Sequence, residues 1–164
     1  MSEMKEWVGW FRKASPYINT HRNKVIVLAI SGETLQHSNF DNITHDIALL
    51  NSLGVRLVIV FGARPQIDDA LKKNDITASF HRSLRITDPK MMPFVLEAYG
   101  RLRSELEAKL SMGIINSPMH GSKINVVSGN FVMARPHGVS DGIDLGLTGQ
   151  VRSIDVEAIE RHFE

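Results

Sequence analysis

The chain has 164 residues, 43% hydrophobic and 23% charged, with a formal net charge of +1. That is enough apolar material for one domain with a core, and it sets the chain apart from disordered sequences. The near-neutral balance supplies no field that would draw it to nucleic acid or an acidic membrane. The absence of cysteine removes disulfides, thiolate nucleophiles and cysteine metal sites together.

Residues 3–18 read as an amphipathic helix, with Met4, Trp7, Val8 and Phe11 at helical steps and Trp10 widening the face. Pro16 weakens its last turn. The residues leave two readings open: the helix covers its own domain's core, or it docks elsewhere through Trp7, Trp10 and Phe11. A polar connection, residues 19–23, follows. Lys24–Ile30 is a buried-strand candidate that ends in the turn Ser31-Gly32. The spacing predicts a helix from Asn39 or Asp41 to Leu53, with Ile43, Ile47 and Leu50 as its stripe and Gly54 as its stop.

Val55–Phe61 is a near-continuous apolar run, the pattern of a strand buried on both faces. It breaks at Gly62-Ala63-Arg64-Pro65 and restarts as a helix to Lys73, with Pro65 in the first turn. Backbone N–H groups and the helix dipole then point at the loop mouth, and Arg64 adds a cation. The loop fits an anion such as a carboxylate or phosphate; it equally fits a tight turn with Arg64 solvated. Two strand–loop–helix units in tandem imply a parallel α/β sandwich. Ser31 and Gly32 would then lie beside Gly62, Ala63 and Arg64, at the strand ends where such sheets bind ligands.

Arg85 stands between Leu84 and Ile86 as a second cation, either for the mouth or paired with Asp88. A long helix follows, with a stripe of Val95, Tyr99, Leu102, Leu106 and Leu110 and an i,i+4 pair Glu105–Lys109. Pro93 implies that this helix starts after Asp88 or kinks. Residues 122–127 and 131–135 read as a hairpin around Ser128-Gly129-Asn130. A loop with Gly138, Gly142, Gly146 and Gly149 leads to a short strand at Val151-Arg152 and a helix from Val156 to Phe163 capped by Asp155.

Phosphate-loop, dinucleotide, zinc-protease and serine-hydrolase motifs are all missing. No His, Asp or Glu group has metal-ligand spacing, and Asp141 and Asp144 read as turn residues. The residues therefore nominate no catalytic group, cofactor or metal. No run approaches the ~18 apolar residues of a membrane span. The start lacks the apolar core of a signal peptide, so the expected compartment is the cytoplasm.

Several stretches in order carry a resemblance: Tyr17-Ile-Asn-Thr-His-Arg22, the run from Leu50 through Val60, Gly62-Ala-Arg-Pro-Gln-Ile67, Arg85-Ile-Thr-Asp88, the run from Ile124 through Phe131, and the run from Gly138 through Asp144. Together they resemble the N-terminal amino-acid-kinase-like domain of bacterial N-acetylglutamate synthases. The resemblance implies a three-layer α/β/α sandwich with a mainly parallel central sheet. Residues 1–22 would be the N-terminal helix and its connection, and 23–164 the first lobe. The family's second lobe and C-terminal acetyltransferase domain lie beyond the resemblance.

In that family the whole enzyme acetylates L-glutamate with acetyl-CoA, the first step of arginine biosynthesis. The kinase-like domain responds to L-arginine and builds a homo-oligomer. Acetyl-CoA, by the resemblance, belongs to the acetyltransferase domain, and this portion would be regulatory, without a cofactor of its own. Tyr17, Ser52 and Arg56 match family motifs associated with the arginine response.

Related kinases carry Lys-x-Gly-Gly after the first strand and a glycine-rich second loop. Here those positions read Ala29-Ile30-Ser31-Gly32 and Phe61-Gly62-Ala63-Arg64-Pro65. The missing cation and the bulkier loop argue against the alternative, a small-molecule kinase of the acetylglutamate type.

Overall fold

The computed structural model describes residues 2–112 and 124–164. Its first helix, α1 (Ser2–His21), runs three residues beyond the expected Ile18, with Pro16 inside it. Local side chains brace the turns around that proline: Ser15 Oγ donates to the Phe11 carbonyl at 2.9 Å and Thr20 Oγ1 to the Pro16 carbonyl at 2.8 Å. The chain then turns at Asn23, whose φ of 61° suits asparagine.

β1 (Val25–Ile30) and β2 (Arg56–Phe61) pair in parallel, Val25 beside Arg56 through Ile30 beside Phe61. Between them lie a short helix, α2 (Gly32–Gln36), and α3 (Phe40–Ser52). The sequence pattern did not foretell α2, whose five residues are too few to show a period. α4 (Arg64–Lys73) follows β2 with Pro65 in its first turn, as expected.

β3 (Ser79–His81) and β4 (Leu84–Ile86) form an antiparallel hairpin, turning at Arg82 and Ser83, both at positive φ. Asp88 caps a 3-10 turn at Pro89–Met91, accepting from Lys90 N at 2.8 Å. α5 (Met92–Ser111) starts only after it, so Pro93 falls in the first turn and the helix needs no kink there.

Leu102, Leu106 and Leu110 of α5 are buried, as the stripe predicts, whereas Tyr99 is exposed and leans on Phe61 at 6.2 Å between centroids. The helix serves two clusters. Leu106 and Leu110 pack with Ile30, Phe40 and Ile47, together with Leu28, Leu57 and Ile59 of the sheet. Leu102 and Ala98 pack with Ala63, Ile67, Leu71 and Met91. Lys109 does not pair with Glu105. It bridges to Asp41 of α3, while Glu105 accepts from Arg101 at 2.7 Å.

The expected hairpin around Ser128-Gly129-Asn130 is not formed. Residues 122–123 lie outside the described residues, and 124–130 carry no strand. Ile124 packs against the core instead, and Ser128 Oγ donates to Glu107 at 2.8 Å. β5 (Val132–Pro136) pairs antiparallel with β8 (Gly149–Ile154), enclosing a small hairpin of β6 (Val139–Ser140) and β7 (Ile143–Asp144).

This nested ribbon is tied to the body at Thr87. Its N–H donates to the Leu145 carbonyl at 3.1 Å, and Leu147 N donates to the Thr87 carbonyl at 2.8 Å. Between them Gly146, at φ +61°, passes so close to the Thr87 carbonyl that no Cβ fits. α6 (Val156–Arg161) closes the chain, capped by Asp155, which accepts from Ala158 N at 2.9 Å. Among the described residues no helix is long and apolar enough to cross a membrane.

Candidate functional site

The parallel register brings the ends of β1 and β2 side by side, and Gly62 N extends the ladder by donating to the Ile30 carbonyl at 2.9 Å. Ser31, Gly32, Gly62, Ala63 and Arg64 therefore converge, as the tandem units predict. What they form is a closed joint. A Cβ on Gly32 would stand 2.6 Å from both Gln66 Oε1 and Pro65 Cδ, and Gln66 Nε2 donates to the Gly32 carbonyl at 2.8 Å. The Ser31 hydroxyl is engaged as the cap of α2, accepting from Thr34 N at 3.2 Å. Ala63 is buried at the start of α4.

The charges around this joint are internally matched. The Glu33 carboxyl is held below the usual carboxylate range, first by its own backbone N–H, then by the Ser31 hydroxyl, with the Arg64 charge adding to them against desolvation. Arg64 is exposed at the start of α4, and its guanidinium lies 4.8 Å from the centre of the Phe80 ring. Arg85 lies against the same ring at 5.5 Å, so β3 gathers both cations on one aromatic surface.

The Arg85 side chain is only 12% exposed and binds Asp68 of α4. The pairing with Asp88 therefore does not form; Asp88 caps the next turn instead. The backbone carbonyl of Arg85 accepts from Thr148 Oγ1, which also meets Thr87 Oγ1 at 2.8 Å. Two buried atoms at the site, Arg85 Nε and Gln66 Oε1, have no hydrogen-bond partner among the described residues.

A shallow groove of about 480 Å³ adjoins the cluster, floored by Leu71, Ile76, Ala78 and Phe80 and edged by Asp68 and Lys72. It excludes the loop residues Ser31 through Glu33 and Gly62 through Arg64. A second ionic cluster pins the hairpin tips together. Asp141 Oδ2 lies 2.8 Å from His81 Nε2 and 2.9 Å from Arg82 Nε. Among the described residues no group of three or more His, Asp or Glu is placed to hold a metal ion.

The three residues that the resemblance nominates for an effector response, Tyr17, Ser52 and Arg56, lie at the other end of the strands. Arg56 opens β2 and its N–H donates to the Lys24 carbonyl at 2.9 Å; the Ser52 hydroxyl donates to Leu49 at 2.7 Å as α3 ends. Tyr17 is exposed on α1, whose C-terminal end is tethered nearby by Asn23 N to the Gly54 carbonyl at 2.7 Å. Six strand residues separate this group from the joint, or roughly 20 Å. Trp7 and Trp10 stack edge to face at 5.9 Å and are 70% and 63% exposed, with Phe11 exposed beside them. Among the described residues, then, α1 does not bury its aromatic face in its own core.

Sequence reasoning missed Asp68, Gln66 and Phe80. Asp68 stands four residues after Arg64 on α4, but its partner is Arg85, which that spacing does not indicate. Gln66 and Phe80 gave no signal, since each acts through a contact distant in sequence.

Residues 24–164 match the model of the amino acid kinase family. The chain is 52% identical over 161 residues to an amino-acid acetyltransferase of Ectopseudomonas mendocina, which covers 98% of this chain and 37% of that protein. A second amino-acid acetyltransferase, from Azotobacter vinelandii, matches to the same extent. Among solved structures, N-acetylglutamate synthase from Neisseria gonorrhoeae complexed with coenzyme A and L-arginine superposes with a TM-score of 0.85 at 35% identity, over 95% of this chain and 37% of that one. The same enzyme complexed with coenzyme A and N-acetyl-glutamate gives 0.81 at 34% identity, over 95% and 35%. The chain thus spans little more than a third of the length of the relatives it matches, and on this breadth of agreement it belongs to the amino acid kinase family.

Proposed function

We propose that this chain is the first lobe of the kinase-like portion of an N-acetylglutamate synthase, and that its role there is regulatory and oligomerising. The observation that carries the reading is the closed joint between the two loops. Where a kinase needs a cation and open backbone to receive a phosphoryl group, this chain has Ala29, and it fills the gap at Gly32 with Pro65 and Gln66. The similarity to a synthase complexed with coenzyme A and L-arginine supports arginine as the effector of the intact protein. Acetyl transfer from acetyl-CoA to L-glutamate is assigned to the part of the relatives outside the matched stretch.

On this reading Tyr17, Ser52 and Arg56 transmit the effector's influence, and the exposed Trp7, Trp10 and Phe11 mediate assembly. The vestigial mouth of Ser31, Gly32, Gly62, Ala63, Arg64 and Arg85 serves as structure. An isolated lobe holds only part of an effector pocket and leaves polar groups unpaired on binding. Calorimetry with L-arginine is therefore expected to show no micromolar binding, and a thiol-release assay with glutamate and acetyl-CoA no turnover. Micromolar binding or acetyl transfer by this chain alone would overturn the assignment. The kinase alternative draws on the family match alone.

A further inference from the structure

The β3/β4 and β6/β7 hairpins meet at both ends. β3/β4 holds three residue pairs and β6/β7 two, and among the described residues neither has a third strand. A lone two-stranded hairpin is marginally stable in water, so pairs this short need support from outside. At the base, Thr87 and Gly146 form a parallel bridge, with Leu145 fully buried beside it. Gly146 leaves no space for a Cβ against the Thr87 carbonyl, so this end is fixed. Both arms reach the bridge in the same direction, from Arg82 to Thr87 in one and from Asp141 to Gly146 in the other.

At the free ends a single carboxylate joins the two. Asp141 Oδ2 lies 2.8 Å from His81 Nε2 and 2.9 Å from Arg82 Nε. Both tips turn through left-handed backbone, at Arg82 and Ser83 (φ 46° and 68°) and at Asp141 and Gly142 (φ 51° and 79°). That conformation is costly for residues such as Arg82 and Ser83, so the tip of β3/β4 needs holding. We propose that Asp141 is the clasp of a strap: the hairpins open and close as one unit about the Thr87–Gly146 bridge, coupled through its carboxylate. What the strap governs is Phe80. β3 sets it opposite Arg85 in the ladder, with the Arg64 and Arg85 guanidinium groups 4.8 and 5.5 Å from its ring centre. Phe80 also lines the groove beside the loop joint. Closed tips keep the ring on both cations; open tips take it from Arg64 and widen the groove. The Asp141 side chain is 46% exposed, so salt screens the clasp and little free energy opens it.

This coupling is independent of the arginine response and of phosphoryl transfer, so it fails separately from the regulatory reading. The test is hydrogen exchange on the 164-residue chain, with each substitution read on the hairpin to which it does not belong. Asp141→Asn removes the charge and keeps a residue that accepts the left-handed turn. It should speed exchange at the amides of 79–86 at least about threefold. His81→Ala should do the same at 139–144, and so should Arg82→Gln, which removes an exposed side chain with little packing. In the Asp141→Asn background neither should add anything at 139–144, because the carboxylate that joins the tips is gone. Raising sodium chloride from about 0.05 M to about 1 M should speed both hairpins in the parent chain and neither in Asp141→Asn. Unchanged exchange at 25–30 and 56–61, in the separate β1/β2 sheet, shows that each variant is folded. Effects confined to the substituted hairpin would overturn the proposal, as would effects of His81→Ala and Arg82→Gln that survive Asp141→Asn.

Discussion

Gly32 lacks a side chain because Pro65 and Gln66 already occupy the place of its Cβ, at 2.6 Å. Gly32→Ala forces the two loops apart, which is expected to cost about 1–3 kcal/mol, as overpacking does elsewhere. Thermal unfolding should show a lower midpoint, and an unchanged midpoint would mean that the loops yield freely. Asp68 holds a guanidinium that is itself largely buried, but the carboxylate is 42% exposed. Solvent screening therefore limits the loss from Asp68→Asn to about 1–2 kcal/mol.

The Asp41 carboxyl is held below its ordinary 3.8 by its bond with Lys109, then by the charge of that lysine. A depressed folded-state value means that the contribution is fully present above the unfolded value. It is lost as pH falls from there through the folded value. Asp41→Asn should therefore lower the melting temperature slightly near neutral pH, and the difference should vanish in acid below that window. A difference that persisted there would point to packing instead of charge. Glu33, also depressed, should behave with the same sign.

The elements show which parts of the fold were legible. β1, α3, β2, α4 and α5 were readable because each declares itself locally, through a run or a period of apolar residues. The hairpin placed around Gly129 was wrong because its turn residues answer to something else: Gly129 lies under the Phe131 ring, with 2.8 Å to a Cβ, and Ile124 is drawn into the core. The true partner of β5 lies beyond an intervening hairpin, and pairing across such a span leaves no mark in a local pattern. Arg85 illustrates the same limit at the site: Asp88 is near in sequence, but α4 brings Asp68 nearer in space.

α5 joins both core clusters, so Leu110→Ala, at a fully buried position, is expected to cost about 2–5 kcal/mol. It should lower the denaturant midpoint of the whole body in one transition. α1 behaves oppositely, because its exposed tryptophans contribute little to the fold. Trp7→Ala with Trp10→Ala should leave the melting temperature within a few degrees while reducing the mass seen by light scattering. Unchanged mass would remove α1 as an assembly element.

For the whole molecule, the contrast is between a family fold and the chemistry usually mounted on it. Residues 24–164 match the amino acid kinase family, but fold alone does not confer activity. The mouth expected at the strand ends exists as a meeting of loops. Its cations lie on Phe80 and Asp68, and its carboxylate, Glu33, is exposed and held by its own backbone N–H and the Ser31 hydroxyl. Among the described residues, one face of the sheet is exposed and neither edge has a ladder partner.

On the proposed function, the joint between the two loops performs no phosphoryl transfer. ATP-dependent turnover of N-acetylglutamate by the 164-residue chain, followed by a coupled ADP assay, tests that most directly. The predicted result is a rate indistinguishable from the blank without protein. A rate above the blank that Arg85→Ala abolishes would contradict it and return the mouth to catalysis.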